Sequence, residues 1–163
     1  MSRILGRIVG LIILLLLNLQ SLTAGESRAG SISWRRDYAA ARRESTKSGR
    51  DVLILFTSAN CGWCRRLESS TLRDRSIVRL IDDQFIPVRI EETDPSAEAI
   101  FSSFSVEALP TFIVITSAGA IAVKQEGYLD SSSLSAILKR RVADRAPNSP
   151  ASRKPSARRD SDK

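Results

Sequence analysis

The stretch Val52–Cys64, "VLILFTSANCGWC", decides how the rest of this chain is read. Val52 to Thr57 is an apolar run of strand length with no polar face, the pattern of a strand covered on both sides. Ser58, Ala59 and Asn60 break the run. Cys61 and Cys64, the only 2 cysteines of the chain, then stand where a helix is expected to begin.

Three readings of the pair compete. As a staple it is poor: closing a four-residue loop stabilises by about 2 kcal/mol, against about 4.7 kcal/mol for a 100-residue loop. A structural zinc takes four ligands, and the chain offers two cysteines and no histidine, so only a site shared between chains would serve. An iron–sulfur cluster meets the same objection. The redox reading uses what the sequence supplies. A helix beginning at Asn60 or Cys61 places Cys61 in its first turn, where unpaired N–H groups and the positive dipole end favour a thiolate. Cys64 sits one turn deeper on the same face. An exposed thiolate at Cys61 would attack a disulfide and Cys64 would resolve the mixed disulfide. Arg65 and Arg66 either add positive charge there or are solvated helix residues.

Outward from this junction, "SWRRDYAAARRESTKSGR" reads as an amphipathic helix capped by Ser33 and ended by Gly49. A helical stretch runs from the cysteines to Leu72, followed by a short helix, "DRSIVRLIDD". "FIPVRIE", Phe85–Glu91, is the next strand. "DPSAEAIFSSF" starts a helix with Asp94 as cap and Pro95 in its first position. Thr111–Thr116 and Ala120–Gln125 form a hairpin about a turn at Ser117–Gly119. "DSSSLSAILKRRVAD" closes the body, with Leu134, Ile137 and Leu138 turned inward. A strand–helix–strand half feeding a hairpin half implies an α/β fold: a mixed four-stranded central sheet with helices on both faces.

The two ends read differently. Arg3 and Arg7 precede an apolar run, Ile8–Leu17, and then small and polar residues, the layout of a secretory signal. Ten helical residues rise about 15 Å, half of a hydrocarbon core of roughly 30 Å. Residues 1–25 are therefore expected to be a signal peptide cleaved near Ala24 or Gly25, with an uncleaved anchor as the alternative. Residues 146–163 carry three prolines and no large apolar side chain, and read as a disordered basic tail. Residues 26–145 make the one folded domain. The net charge of +7 falls to +5 without Arg3 and Arg7, and the tail carries +3 of that. The body is thus only mildly basic and shows no basic face interleaved with aromatics, which argues against nucleic acid as a partner. The absence of histidine excludes Ser-His-Asp and Cys-His catalysis within the chain.

At "VLILFTSANCGWC" and "VEALPTFIVI" the chain resembles the thioredoxin-like family, over most of Ser33–Val142. The leading "WRRDYAAARRESTKSGRDVLILF" is similar to the secreted thioredoxin-like subgroup that includes the C-terminal domain of the disulfide reductase DsbD. The resemblance implies a thioredoxin-like three-layer sandwich and a cis Leu109–Pro110 peptide beside the cysteines, its backbone free to pair with an extended substrate. Trp63 would offer an apolar platform beside Cys61 or simply cover the helix start. Two departures stand out. Leu55 occupies the position, six before Cys61, of the family's buried aspartate, and Asn60 replaces the tryptophan that precedes the motif. Either a water or another carboxylate then takes the proton of the resolving thiol, or resolution is slower; Glu91 and Glu92 are candidates, and nothing in the spacing singles one out.

The expectation is an exported, periplasmic or secreted, thiol–disulfide oxidoreductase acting on protein disulfides. Its catalytic residues would be Cys61 and Cys64, and its substrate-binding residues Trp63, Leu109 and Pro110, with no cofactor and no metal. The reductase direction follows from family likeness alone. The partners expected are protein substrates with disulfides or thiols and a membrane redox partner. The chain itself is expected to be a monomer that touches membrane only through residues 1–25 if these are retained. The rival readings are a thioredoxin-like module that binds a partner without turnover, and a structural protein stapled at 61–64.

Overall fold

Strand β1, Asp51–Thr57, is buried along its whole length, and the other elements are arranged about it. The computed structural model describes residues 30–145; the expected signal peptide and basic tail lie outside the described residues. In chain order the elements are α1 (Tyr38–Ser48), β1, α2 (Gly62–Ser69), a single 3₁₀ turn (Thr71–Arg73), α3 (Arg75–Gln84), β2 (Phe85–Glu91), α4 (Ala97–Ser103), β3 (Thr111–Ile115), β4 (Ile121–Glu126) and α5 (Ser131–Arg145). The strands form one sheet in the order β2-β1-β3-β4. β1 runs parallel to β2, with Leu55 opposite Arg89 and Thr57 opposite Glu91. It runs antiparallel to β3, with Leu55 opposite Phe112.

Alternation along β1 builds two cores. Leu53 and Leu55 join Phe112 and Val114 against Leu67 of α2, Ile77 and Ile81 of α3, and Leu134 and Leu138 of α5. Val52, Ile54 and Phe56 join Val88, Ile90 and Ile113 against Ala41 of α1 and Ala97 of α4. Side chains two apart in a strand share a face, so an apolar residue at every position needs cover on both sides. The result is the three-layer α/β sandwich with a mixed four-stranded central sheet. Each fully buried leucine, isoleucine or phenylalanine contributes about 1.5–3 kcal/mol relative to exposure. Phe56 meets Phe101 of α4 edge to face, with ring centroids 4.9 Å apart. At the opposite end of β1, Asp51 is buried and paired with Nε of Arg141 on α5 at 2.9 Å.

Several boundaries differ from the sequence expectation. The first helix is capped by Asp37, whose carboxylate accepts from the Ala40 N–H at 2.9 Å, and not by Ser33. Its would-be first turn is taken by the sheet: Arg35 exchanges backbone hydrogen bonds with Pro87 and Arg89, both at 2.9 Å, and Ser33 donates its N–H to Asp82. Asp94 and Pro95 lie ahead of α4, which starts at Ala97. The Asp94 carboxylate instead accepts from the Glu91 N–H at 2.9 Å, closing the turn after β2. Ala120 belongs to the hairpin turn, its N–H donating to Thr116 Oγ1 and its carbonyl accepting from the Thr116 N–H, so β4 begins one residue later. Gly49 ends α1 with φ 74°, a left-handed conformation that glycine adopts without steric cost.

Candidate active site

The chain leaves β1 at Thr57 and turns within three residues. The Cys61 N–H donates to the Ser58 carbonyl at 3.1 Å and the Asn60 N–H to Ser58 Oγ at 3.3 Å. Cys61 is the N-cap of α2, with extended backbone angles. It precedes the first turn in which the sequence placed it, because the turn from Ser58 holds its φ and ψ outside the helix. Cys61 Sγ nonetheless accepts from the Cys64 N–H at 3.1 Å, so an orphan donor of the helix end points at the sulfur. Cys61 is half-buried, whereas Cys64 is 1% exposed. The two form a disulfide. Of the two cysteines, only the first presents surface to a partner.

The loop before β3 comes alongside. Cys61 Sγ lies 3.6 Å from the Leu109 carbonyl oxygen, and the Leu109–Pro110 peptide is cis. Pro110 is buried and Leu109 half-buried. The loop is fixed from both ends, by Thr111 Oγ1 donating to the Ala108 carbonyl at 2.7 Å and by the Gly127 N–H donating to the Pro110 carbonyl at 2.8 Å. The structure therefore brings together Cys61, Cys64, Leu109 and Pro110, residues up to 49 positions apart in sequence. Trp63 is 56% exposed. Its ring stands 5.7 Å from that of Tyr128, and the Arg66 guanidinium lies over both rings. Hydrogen bonding to the Ser70 and Thr71 hydroxyls, with the Arg66 cation as a smaller influence, holds the Tyr128 phenol below its ordinary value. Arg65 folds back, Nη1 donating to the Ala59 carbonyl at 2.9 Å, and so braces the loop that carries Cys61.

Leu55 is fully buried in the apolar core. The carboxylates on this face of the sheet come from elsewhere. Glu68, four residues after Cys64 and hence on the same face of α2, sits 2.9 Å from Nη2 of Arg89 and accepts from the Thr57 hydroxyl at 3.3 Å. The same Arg89 nitrogen is 2.8 Å from Glu91. Because Arg89 is paired with Leu55 and Glu91 with Thr57 across the parallel strands, these groups share the sheet face on which α2 packs. Of the two glutamates singled out from sequence, Glu91 belongs to this cluster and Glu92 is exposed. Glu68 was not singled out, although its spacing from Cys64 was the available signal. Tyr128 had no local signal, since only the fold brings it to the cysteines. Among the described residues no group of three or more histidine, cysteine, aspartate or glutamate side chains could hold a metal ion.

A strand-to-helix junction carrying a C-x-x-C disulfide, flanked by a cis-proline loop on a mixed four-stranded sheet, defines the class of thioredoxin folds. The chain belongs to the thioredoxin-like family, whose model matches residues 33–117. It is 32% identical over 81 residues to the protein disulfide-isomerase of Zea mays, covering 50% of this chain and 15% of that protein. The chain thus spans about 15% of that relative's length. The thioredoxin of Thermus thermophilus superposes with a TM-score of 0.64 at 22% identity, over 71% of this chain and 91% of that one. The oxidised C-terminal domain of Neisseria meningitidis DsbD superposes with a TM-score of 0.56 at 16% identity, over 66% of this chain and 98% of that one. These two likenesses are of fold.

Proposed function

We propose that this protein is an exported thiol–disulfide oxidoreductase that reduces protein disulfides. The observation that carries the reading is the asymmetry of the pair: a half-buried Cys61 at a helix N-terminus bonded to a fully buried Cys64, with the cis-proline loop beside the first sulfur. Family membership and the likeness to a plant protein named for disulfide isomerisation support the same chemistry.

In the reduced protein the Cys61 thiolate attacks one sulfur of a substrate disulfide. The S–S bond of the substrate breaks, its other sulfur leaves as a thiolate and takes a proton, and a Cys61–substrate mixed disulfide remains. Cys64 then loses its proton and attacks Cys61 Sγ, forming the Cys61–Cys64 disulfide and releasing the second substrate thiolate. Two electrons pass from protein to substrate. A dithiol donor, here a membrane redox partner, must return them for the next cycle. Glu68 is the proton acceptor in this scheme. Arg89 neutralises one of the Glu68–Glu91 pair, so a proton taken by the trio cancels its remaining negative charge. Leu109 and Pro110 hold an extended substrate segment beside Cys61, where proline offers no competing N–H, and Trp63 supplies an apolar contact. No metal or organic cofactor enters the scheme.

Residues 1–25 direct export, to a periplasm or the exterior, or hold the protein at a membrane if retained. Among the described residues no helix is long and apolar enough to cross a membrane. Substrates are proteins with disulfides or thiols, nucleic acid is not a partner, and the working unit is a monomer. Replacing Cys64 with serine should trap a mixed disulfide through Cys61 that dithiothreitol releases. Partner capture that survives loss of both cysteines would instead establish a binding module. An equilibrium potential near about −270 mV supports the reductase direction, and one near about −120 mV an oxidant.

A further inference from the structure

Arg66 projects from α2 onto two aromatic rings, its guanidinium carbon 5.5 Å from the Trp63 centroid and 5.2 Å from the Tyr128 centroid. It is exposed and takes part in none of the ion pairs among the described residues. A guanidinium held over aromatic rings by cation–π attraction still has N–H donors for a partner in its plane, and a carboxylate matches that edge with two parallel hydrogen bonds. The patch is tied to the redox centre at two points. Trp63 lies between the two cysteines in sequence, and Gly127, the neighbour of Tyr128, is bonded to the Pro110 carbonyl. A chain segment laid along Leu109–Pro110 with its sulfur at Cys61 must run beside this stack.

We propose that Trp63, Arg66 and Tyr128 form a docking surface for an acidic side chain that flanks the reacting cysteine of the partner protein. The proposal rests on the thiol–disulfide reading above and names the substrate class of that site. Arg66 supplies the charge and the paired donors, while the two rings hold the cation in place and offer apolar contact beside it. Lysine at position 66 would keep the charge but lose the planar fork, so the surface selects a carboxylate by geometry as well as by sign.

The test uses three extended disulfide peptides, identical except for Glu, Gln or Lys at one position near the cysteine. Each is mixed in single turnover with the full chain, reduced beforehand, at low ionic strength. The Glu peptide is expected to react about 5–10-fold faster than the Gln peptide, and the Lys peptide slowest. Arg66→Gln should bring the Glu-to-Gln ratio to about one. A general change in Cys61 reactivity affects all peptides alike and cancels in that ratio. A wild-type ratio near one, or a ratio that survives Arg66→Gln, overturns the docking surface. Cysteine-free versions of the peptides, bound to the oxidised protein and followed by tryptophan fluorescence, read the docking without turnover. If no peptide is reduced but the Glu version still binds about 5–10-fold more tightly, the redox reading fails and the docking surface stands. Equal binding overturns it.

Discussion

Replacing Glu68 with glutamine keeps the shape of the side chain and its capacity to accept from Thr57 and Arg89, but removes its capacity to take a proton. A positioned general base contributes typically 10²–10⁴-fold. Here the side chain is 34% exposed, so water can serve in its place to a degree, and the effect belongs at or below the low end of that range. The expected loss is about 10–100-fold in the resolving step alone, or about 1.4–2.7 kcal/mol of barrier. The attack of Cys61 needs no proton from Cys64 and should change by less than about twofold. Quenched-flow separation of the mixed disulfide from the final Cys61–Cys64 disulfide measures both steps. In the variant the mixed disulfide should accumulate, and its decay should quicken as pH rises and hydroxide takes over deprotonation. Equal slowing of the two steps would show that Glu68 acts on the fold or on Cys61. An unchanged decay would show that another group takes the proton.

Arg141→Met leaves Asp51, whose side chain is 2% exposed, buried without its partner. Urea denaturation should show a loss of about 3–5 kcal/mol, smaller when Asp51→Asn is added. Leu134→Ala opens a cavity where α5 meets the sheet, and the same assay should show a loss of about 2–5 kcal/mol with the slope unchanged. Asp74 is held below 3.8 chiefly by hydrogen bonding to the Ser76 side chain, and Asp130 below 3.8 chiefly by the Ser133 N–H. Since both folded-state values are depressed, their stabilisation is complete above the ordinary value and is lost as pH falls through the depressed ones. Thermal melts of the Asp74→Asn, Asp130→Asn double variant should therefore fall less steeply than wild type on acidification through that window.

The layers and the redox pair were legible because their signals are local or periodic. An unbroken apolar strand demands cover on both faces, and two cysteines one helical turn apart at a strand end have few other uses. β2 was read with the boundaries it has, since Phe85–Glu91 is framed by polar residues on both sides. Helix starts were less legible. Ser33 and Asp37 are both good caps in isolation, and the choice fell to Arg35, whose backbone is taken by β2 over 50 residues away. Asp94 was misread for a related reason: its carboxylate caps a turn, and the residue types that cap turns and helices are the same. Tyr128 and Arg89 became site residues only through strand register and the loop contact at Pro110, which no local pattern carries.

The position of Leu55 and the position of Glu68 are two sides of one arrangement. An aspartate at 55 would lie in a core otherwise made of Leu53, Phe112 and Leu67, where a carboxylate needs a partner to remain charged. Its strand neighbour Arg89 could provide that partner, but Arg89 is already held between Glu68 and Glu91. Leucine at 55 keeps the core apolar beneath α2. A carboxylate stands instead on the helix, one turn beyond Cys64, and in the proposed scheme its partial exposure lets a proton taken from the thiol pass on to solvent. The proposed scheme thus serves the buried sulfur from the helix that carries it, while the sheet supplies the guanidinium paired with the acid.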